Sequence, residues 1–502
     1  MNDIPEFTTK DLKHYPHFDA PLSLREVKSI LSDPDRIAKN KFFPFIKYNE
    51  RWQPYRIDPI KPEKKTRPIR YASRRDAYIF QHYRRILSAE YEKKLQTLGI
   101  TECPIAYRRI PKPDSNGGKC NIDFANDAFE VVIKLRSCIA IALDIKGYFE
   151  SLDHDRIKSH WKSLLNTKSL PNDHYAVFKN ITKYRFVEQK KLYKSLGYIN
   201  SHPTGGNSTF DHYTVSYKNM PKQICTPQEF REKVCGKAKG FNSLIERNED
   251  SFGIPQGAPI SDLIANFYLI EFDFEMNRYA SINGGVYMRY SDDILIILPT
   301  GEGIASAAEE MVKKHITTQG KHLKLKESKT CVVEFYEING EIKYKHIKGP
   351  HGKNGLEYLG FRFDGRNVYI RDSTISKLYR KASSSAKTLA NLHTLDNLGR
   401  PDSVLMQDFN YSRFSERFMK VSRENLSNDY STWTFYSYAK RSSEIFGDKG
   451  RKINKQIRNF DSVMRLRIEE YIEKCVRKRD LFILGYTEII EGDTYVDSVL
   501  LA

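Results

Sequence analysis

The chain has 502 residues, room for roughly three domains of ordinary size or one large body. Hydrophobic residues make up 40% and charged residues 29%, and 82 Lys and Arg against 63 Asp and Glu leave a net charge of +19. That balance describes a globular chain with a sizeable core and points to a polyanionic partner, nucleic acid before membrane, with a solvated basic surface as the plainer alternative.

The segment to about residue 55 carries short helical patches such as 22–31, broken at Asp33-Pro34 and Phe43-Pro44. A basic, proline-punctuated stretch, IKPEKKTRPIRYASRRDAYIFQHYRRIL, follows, and Tyr78, His82, Arg85 and Ile86 in its second half predict a helix. PKPDSNGGKC (111–120) has the composition of a loop. CIAIALDIK (138–146) predicts a strand that runs into a carboxylate, and 155–250 reads as helices and excursions without sharp boundaries.

After GIPQG, residues 258–275 predict one apolar helix. Two apolar runs, 286–290 and 294–298, flank Ser291-Asp292-Asp293 and predict a tight hairpin. A helix over about 303–318 and short strands closing at LEYLGFRFDGRNVYI come next, and from Ser373 the pattern is helical. In 451–479, Ile453, Ile457, Phe460, Met464, Ile468, Ile472 and Cys475 share one helical face in a span with 10 Lys/Arg against 4 Asp/Glu. That other face suits nucleic acid or simply solvent.

No apolar run approaches the ~18 residues of a membrane span. The charged start MNDIPEFTTKDLKHY lacks the apolar stretch of a signal peptide. Seven cysteines without a CxxC pair build neither a disulfide framework nor a zinc site, so no membrane association and a reducing, cytoplasmic location are expected.

Asp144, Asp292 and Asp293 are the residues most in need of a chemical explanation. An ionised acid beside buried strands costs several kcal/mol unless a cation or hydrogen bonds compensate. Carboxylates on short strand ends suit Mg²⁺, which takes one or two of them together with substrate phosphates. Read singly, Asp-Asp is common turn chemistry and Asp144 a helix cap. Read together, in strand–acid and acid–acid–strand contexts, they form a two-ion signature.

These motifs resemble the reverse transcriptase family. DIKGYFESLDH (144–154), GIPQGAPISDLIANFYL (253–269) and RYSDDILII (289–297) are similar to its palm motifs and stand in its order. KPEKKTRPI (61–69) resembles the fingers segment, ESKT (327–330) the lysine-bearing segment after the hairpin, and LEYLGF (356–361) the primer-grip strand. The resemblance covers about 60–365 and implies an α+β right-hand polymerase. Its antiparallel palm sheet would carry the YSDD hairpin, followed by an α-helical thumb and C-terminal region. The implied division is an N-terminal extension (1–59), fingers and palm (60–370) and a helical region (371–502).

The implied activity is that of an RNA-directed DNA polymerase, a nucleotidyltransferase adding dNTPs by a two-metal mechanism. Asp144, Asp292, Asp293 and the Ile145 carbonyl would hold two Mg²⁺ ions, with Mn²⁺ an alternative. Phe149 matches the aromatic gate against a 2′-hydroxyl, although by itself it is an ordinary core aromatic. Gln256 and Gly257 would flank the incoming nucleotide, Gly257 allowing close backbone approach. Lys64, Lys65 and Arg67 would hold the triphosphate, Lys329 would sit near the pyrophosphate, and Leu359 and Gly360 would form the primer grip.

CPIAYRR (103–109), an insertion of about a hundred residues between Asp144 and Gln256, and a tail without a catalytic motif resemble the bacterial abortive-infection and unknown-group enzymes of antiphage defence. Members of that clade copy a partner non-coding RNA or prime on a protein hydroxyl. Implied partners are therefore an RNA template or non-coding RNA, the DNA product and dNTPs, with a homo-oligomer also in view. The alternatives are an intron- or retroelement-type enzyme serving mobility, and a catalytically inactive polymerase-like RNA-binding scaffold.

Overall fold

The computed structural model describes residues 5–52, 65–112, 115–204, 208–349, 353–397, 399–419 and 432–483. The strands in chain order are β1 (Phe45–Trp52), β2 (Lys65–Tyr71), β3 (Pro111–Lys112), β4 (Ser115–Gly118), β5 (Cys138–Asp144), β6 (Arg185–Glu188), β7 (Ile199–Thr204), β8 (Ser208–Tyr213), β9 (Glu246–Arg247), β10 (Val286–Tyr290), β11 (Asp293–Pro299), β12 (Cys331–Ile338), β13 (Glu341–Lys348), β14 (Leu356–Tyr358), β15 (Phe361–Phe363) and β16 (Val368–Ile370).

The central sheet has the order β10-β11-β5-β12-β13, and every pairing in it is antiparallel. β5 lies in its middle and is covered on both faces, which explains an apolar run with no polar alternation. Ile139, Ile141 and Leu143 face the main core, with helices Arg74–Leu98, Ser261–Tyr268, Ile270–Ile282 and Ile304–Thr318. Cys138 and Ala140, on the other face, meet Leu295, Ile297, Val333, helix Asn121–Leu135 and the small sheet β14-β15-β16.

A second sheet, β2-β1-β6-β9, stands over the site end of this body, and helix Arg74–Leu98 follows β2 directly. That helix starts at a serine cap, Ser73 accepting from Asp76 N, and stops at Gly99 in the left-handed region (φ +66°). β2 is joined to the GIPQG segment by Arg70 N donating to Gln256 O at 2.8 Å. Residues 5–52, part of the segment expected as an extension, are built into this body: β1 pairs with β2, and Phe7, Val27 and Phe45 enter the main core. Beyond β16, helices Asp372–Asp396 and Phe460–Ile483 share a separate core. The whole is the fingers, palm and helical C-terminal arrangement of a right-hand polymerase.

Four sequence expectations change. Residues 111–120 hold the small ribbon β3–β4 rather than a plain loop. The helix after GIPQG is two helices, broken at Leu269, and the first is buried nearly all round, so periodicity could not mark where it ends. Pro34, read as a breaker, is the first residue of a short helix capped by Asp33. The stripe over 451–479 is divided between helices Arg451–Ile457 and Phe460–Ile483, which serve different cores, and Val476 rather than Cys475 is its last buried member. Among the described residues no helix is long and apolar enough to cross a membrane, and none of the seven cysteines is joined in a disulfide.

At the seam with β2, Gly257 has φ +107°, and a Cβ there would lie 2.9 Å from Arg70 O and 3.0 Å from Ile69 Cγ2. Gly257→Ala is expected to cost about 2–4 kcal/mol from strain and forced separation of the seam. Gly99→Ala, with φ +66° and no atom within 4 Å of the new Cβ, should cost about 1 kcal/mol. Urea unfolding of the two variants checks the difference.

Candidate active site

The register of the central sheet sets the site. β5 and β11 pair with Asp144 directly opposite Asp293, and β10 pairs with β11 through Tyr290 and Asp293. Asp293 is thus the first strand residue, and only Ser291 and Asp292 form the turn. Opposed residues of an antiparallel pair share a face, with Cβ atoms about 4.5–5.5 Å apart, and like charges there repel. Asp292 O accepts from Ile145 N at 3.1 Å, which closes the turn onto the end of β5.

The electrostatics show the crowding. Burial, then Asp144, raises the Asp292 carboxyl, while Lys329 and Arg67 pull it back. Burial, then Asp292 and Asp144, pushes Asp293 up to about 7, although its side chain retains a solvent-facing surface. Asp144 is 5% exposed and is met by the Lys329 ammonium on Oδ2. Among the described residues no three His, Cys, Asp or Glu side chains form a ready-made metal cage. The donor set is therefore an incomplete one of hard oxygens, which fits an ion that takes few carboxylates and completes its shell with water and phosphate.

The turn is held from beneath by residues the sequence reading missed. Arg289 and Asp273 are both 0% exposed, with Nε to Oδ1 at 2.7 Å and Nη2 to Oδ2 at 2.6 Å. Arg289 Nη1 donates to Ser291 O at 3.1 Å, Nη2 to Asn266 O at 3.0 Å, and the Tyr287 hydroxyl to Asp273 Oδ1 at 2.7 Å. Ser291 is buried with φ +58°, a conformation that costs a non-glycine residue energy and needs such support. The only sequence signal was an arginine at an otherwise apolar strand position.

The remaining expected residues surround these acids. Arg67 lies on β2 with its charge reaching Asp292. Lys64 falls outside the described residues, as does the side chain of Lys65. Phe149 is partly buried against the main core, its ring 6.0 Å from that of Tyr148, and its carbonyl accepts from Ile254 N at 2.8 Å. Gln256 and Gly257 are engaged with β2, so the missing Cβ of Gly257 admits the β2 backbone. The helix expected to start at Ala258-Pro259 begins at Ser261.

Leu359 (φ +46°) and Gly360 (φ +93°) are the two turn residues between β14 and β15. Their carbonyls accept from Asn121 Nδ2 at 3.3 Å and Arg371 N at 2.9 Å. Neighbouring Tyr358, raised first by burial, also feels Asp293, so this turn adjoins the acids. On the other side Tyr107 (φ +60°, 43% exposed) lies next to Ser291, its ring 6.1 Å from that of Tyr290. Arg84 fixes it, Nη2 donating to Tyr107 O at 3.1 Å while pairing with Asp262 at 2.7 Å. The AYRR segment was noticed in the sequence without this role.

Residues 219–363 match the family described as reverse transcriptase (RNA-dependent DNA polymerase). The chain carries a reverse transcriptase domain. Its enzyme class is RNA-directed DNA polymerase, a nucleotidyltransferase. The matched segment holds Asp292 and Asp293 but not Asp144, which the β5–β11 pairing delivers. No curated protein matches the sequence. Among solved structures, telomerase from Candida albicans with a TWJ fragment of telomeric RNA is similar at TM-score 0.35 and 12% identity, over 93% of this chain and 68% of that one. Apo telomerase from Candida tropicalis is similar at TM-score 0.36 and 12% identity, over 89% and 67%.

Asp273→Ala leaves the Arg289 guanidinium buried without its counter-charge and is expected to cost about 3–5 kcal/mol of stability. Chemical denaturation measures it.

Proposed function

We propose that this reverse transcriptase domain extends a hydroxyl primer with dNTPs on an RNA template, using two divalent ions at Asp144, Asp292 and Asp293. The observation that carries the reading is the cross-strand opposition of Asp144 and Asp293 with Asp292 on the adjoining turn. Three acids there are costly without a cation. Bound Mg²⁺, or Mn²⁺ in its place, would supply activation of the attacking hydroxyl and neutralisation of the phosphates.

The chain's own groups then act by position and charge. Asp144, Asp292, Asp293 and the Ile145 carbonyl hold the ions. Arg67, with Lys64 and Lys65 on the same segment, holds the triphosphate, an arginine fork matching phosphate oxygens. The primer hydroxyl attacks the α-phosphate and pyrophosphate leaves, with Lys329 placed to meet its charge. Gln256 and Gly257 keep the nucleotide's floor fixed to β2, Phe149 crowds a 2′-hydroxyl, and Leu359 and Gly360 steady the primer strand.

The division is an N-terminal extension to residue 59, fingers and palm over 60–370 and a helical thumb and C-terminal region over 371–502, the described residues 5–52 of the extension packing against the fingers. The CPIAYRR segment, the long insertion and the helical tail support placement with the antiphage enzymes of the abortive-infection and unknown-group clade. On that reading the protein works in the cytoplasm on a partner non-coding RNA or from a protein hydroxyl, as a monomer or a closed homo-oligomer.

Asp292→Ala combined with Asp293→Ala should lower labelled dNTP incorporation at least about 100-fold while the protein stays folded. The wild type should gain thermal stability with Mg²⁺ and the variant should not. Near-normal incorporation by the variant would overturn the assignment. Phe149→Ala should raise the use of rNTPs relative to dNTPs by about tenfold or more, measured as the ratio of kcat/KM values; an unchanged ratio removes the gate role.

A further inference from the structure

Tyr107 is held as exposed side chains seldom are. Its backbone lies in the left-handed region (φ +60°), a strained conformation for an aromatic residue that persists only where the surroundings impose it. Residues 103–105 run along the outer edge of β10, with Arg289 N donating to Cys103 O at 2.8 Å and Ile105 N to Arg289 O at 3.0 Å. Buried Asn266 donates from Nδ2 to Ala106 O at 2.6 Å. Arg84 Nη2 donates to Tyr107 O at 3.1 Å while the same guanidinium forks onto Asp262 at 3.0 and 2.7 Å. Arg108 forks onto Glu92 at 2.7 and 2.6 Å and reaches back to Pro104 O at 2.7 Å.

What this support presents is a ring in solvent. Tyr107 is 43% exposed, so burial of its own side chain does not account for the loop. A single exposed aromatic is ordinary. A backbone strained and braced from both sides to keep one exposed is not, and residues of that kind gather at ligand clamps. Glycine or asparagine would adopt the same φ more easily and would present no ring.

The surroundings of the ring identify its ligand. It lies 6.1 Å from the ring of Tyr290, which is cross-strand to Asp293, itself opposite Asp144. Lys329 meets Asp144 from the far side, on the segment leading into β12. Tyr107, Tyr290, the acids and Lys329 therefore follow one another across the end of the sheet. In-line displacement puts the attacking and leaving oxygens on opposite sides of the phosphorus. With pyrophosphate leaving toward Lys329, the attacking hydroxyl enters from the side of the two tyrosines. The first turn of helix Asn121–Leu135 marks the same side: Phe124 stands 6.5 Å from the Tyr290 ring, and Asn121 Nδ2 donates to Leu359 O at 3.3 Å.

We infer that Tyr107 is a primer-binding residue, its ring packed against the sugar and base edge of the primer's terminal nucleotide beside Tyr290. The strain in its backbone fixes the ring before the primer arrives, so the contact sets where the terminal hydroxyl lies relative to the acids. The inference rests on the polymerase reading given above, which supplies the primer. Its test is separable from that reading, because binding of the terminal nucleotide needs no catalysis.

The full chain is titrated by fluorescence anisotropy, without dNTPs, with a DNA primer annealed to an RNA template. Two further duplexes carry an abasic site, one at the primer's 3′ end and one at the template nucleotide opposite. The wild type should bind the intact duplex about fivefold or more tightly than the duplex with the abasic primer end. Tyr107→Asn, whose side chain tolerates the left-handed backbone, should bind the two equally, and Tyr107→Phe should keep the difference. In primer extension, the Asn variant should raise KM for the primer–template by a similar factor and leave KM for dNTP as it was. Tyr107→Gly, free of the strain, should behave as the Asn variant does and melt within about 4 °C of the wild type.

A difference that persists in the Asn and Gly variants, or is absent from the wild type, overturns the inference. A loss confined to the abasic template position assigns the ring to the template and overturns the choice of primer. A rise in KM for dNTP instead assigns it to the incoming nucleotide, with the same consequence. Should the wild type show the difference but extend no primer, the polymerase reading falls and the contact stands.

Discussion

A buried guanidinium–carboxylate pair, Arg289 with Asp273, underlies the geometry of this protein. Taking both charges out of water costs several kcal/mol per ion, recovered only with good geometry and full hydrogen bonding. Both conditions are met: two Arg289 nitrogens fork onto the two Asp273 oxygens, and further bonds run to the Ser291 and Asn266 carbonyls. The pair ties helix Ile270–Ile282 to the β10–β11 hairpin and grips the carbonyl of a serine in a left-handed conformation. The turn is thereby fixed against the mutual repulsion of Asp144, Asp292 and Asp293, which would otherwise open it.

The fingers sheet is fixed to this frame at one seam. β2 offers its edge to GIPQG through the Arg70–Gln256 backbone bond, and Gly257 makes room for the β2 backbone. The same segment is tied to the turn after β5 by Ile254 N and Gly253 N, which donate to Phe149 O and Leu152 O at 2.8 Å each. Arg67, Gln256, Phe149 and Asp144 thus belong to one hydrogen-bonded chain of segments, so the β2 cation, the GIPQG segment and the acid at the end of β5 are positioned together.

The parts of the fold legible in the sequence were those with a local signature. The run ending at Asp144 and the runs around Asp292-Asp293 are strands because apolar and aromatic residues fill them, Arg289 being the one charge inside, and the acids at their ends follow. Helix Arg74–Leu98 announced itself by periodicity, with Ser73 and Gly99 closing it. The break at Leu269 was hidden because the residues on both sides of it run apolar into one core, and the division after Ile457 because two different cores claim the stripe on its two sides. Arg289 and Asp273 are 16 residues apart with no periodic relation, so only the β10 register and the helix before it bring them together. The position of Tyr107 beside Ser291 was likewise invisible, since an exposed and a buried tyrosine read alike in a sequence.

Lys329 adds a last constraint. Its ammonium sits on Asp144 Oδ2 while its own side chain is 40% exposed. The most buried of the three acids therefore has a counter-charge that can move into solvent, whereas Asp293 is raised by Asp292 and Asp144, with Lys329 and Arg371 pulling it back. A divalent ion and the ammonium would compete for the same Asp144 oxygen, and the ion would gain Asp292 and Asp293 as well. An ammonium on a flexible stem is suited to such an exchange, because it can leave one anion for another, such as a phosphate, without moving the backbone. An arginine fork locked onto Asp144 would hold the acid more firmly and yield less readily to the ion.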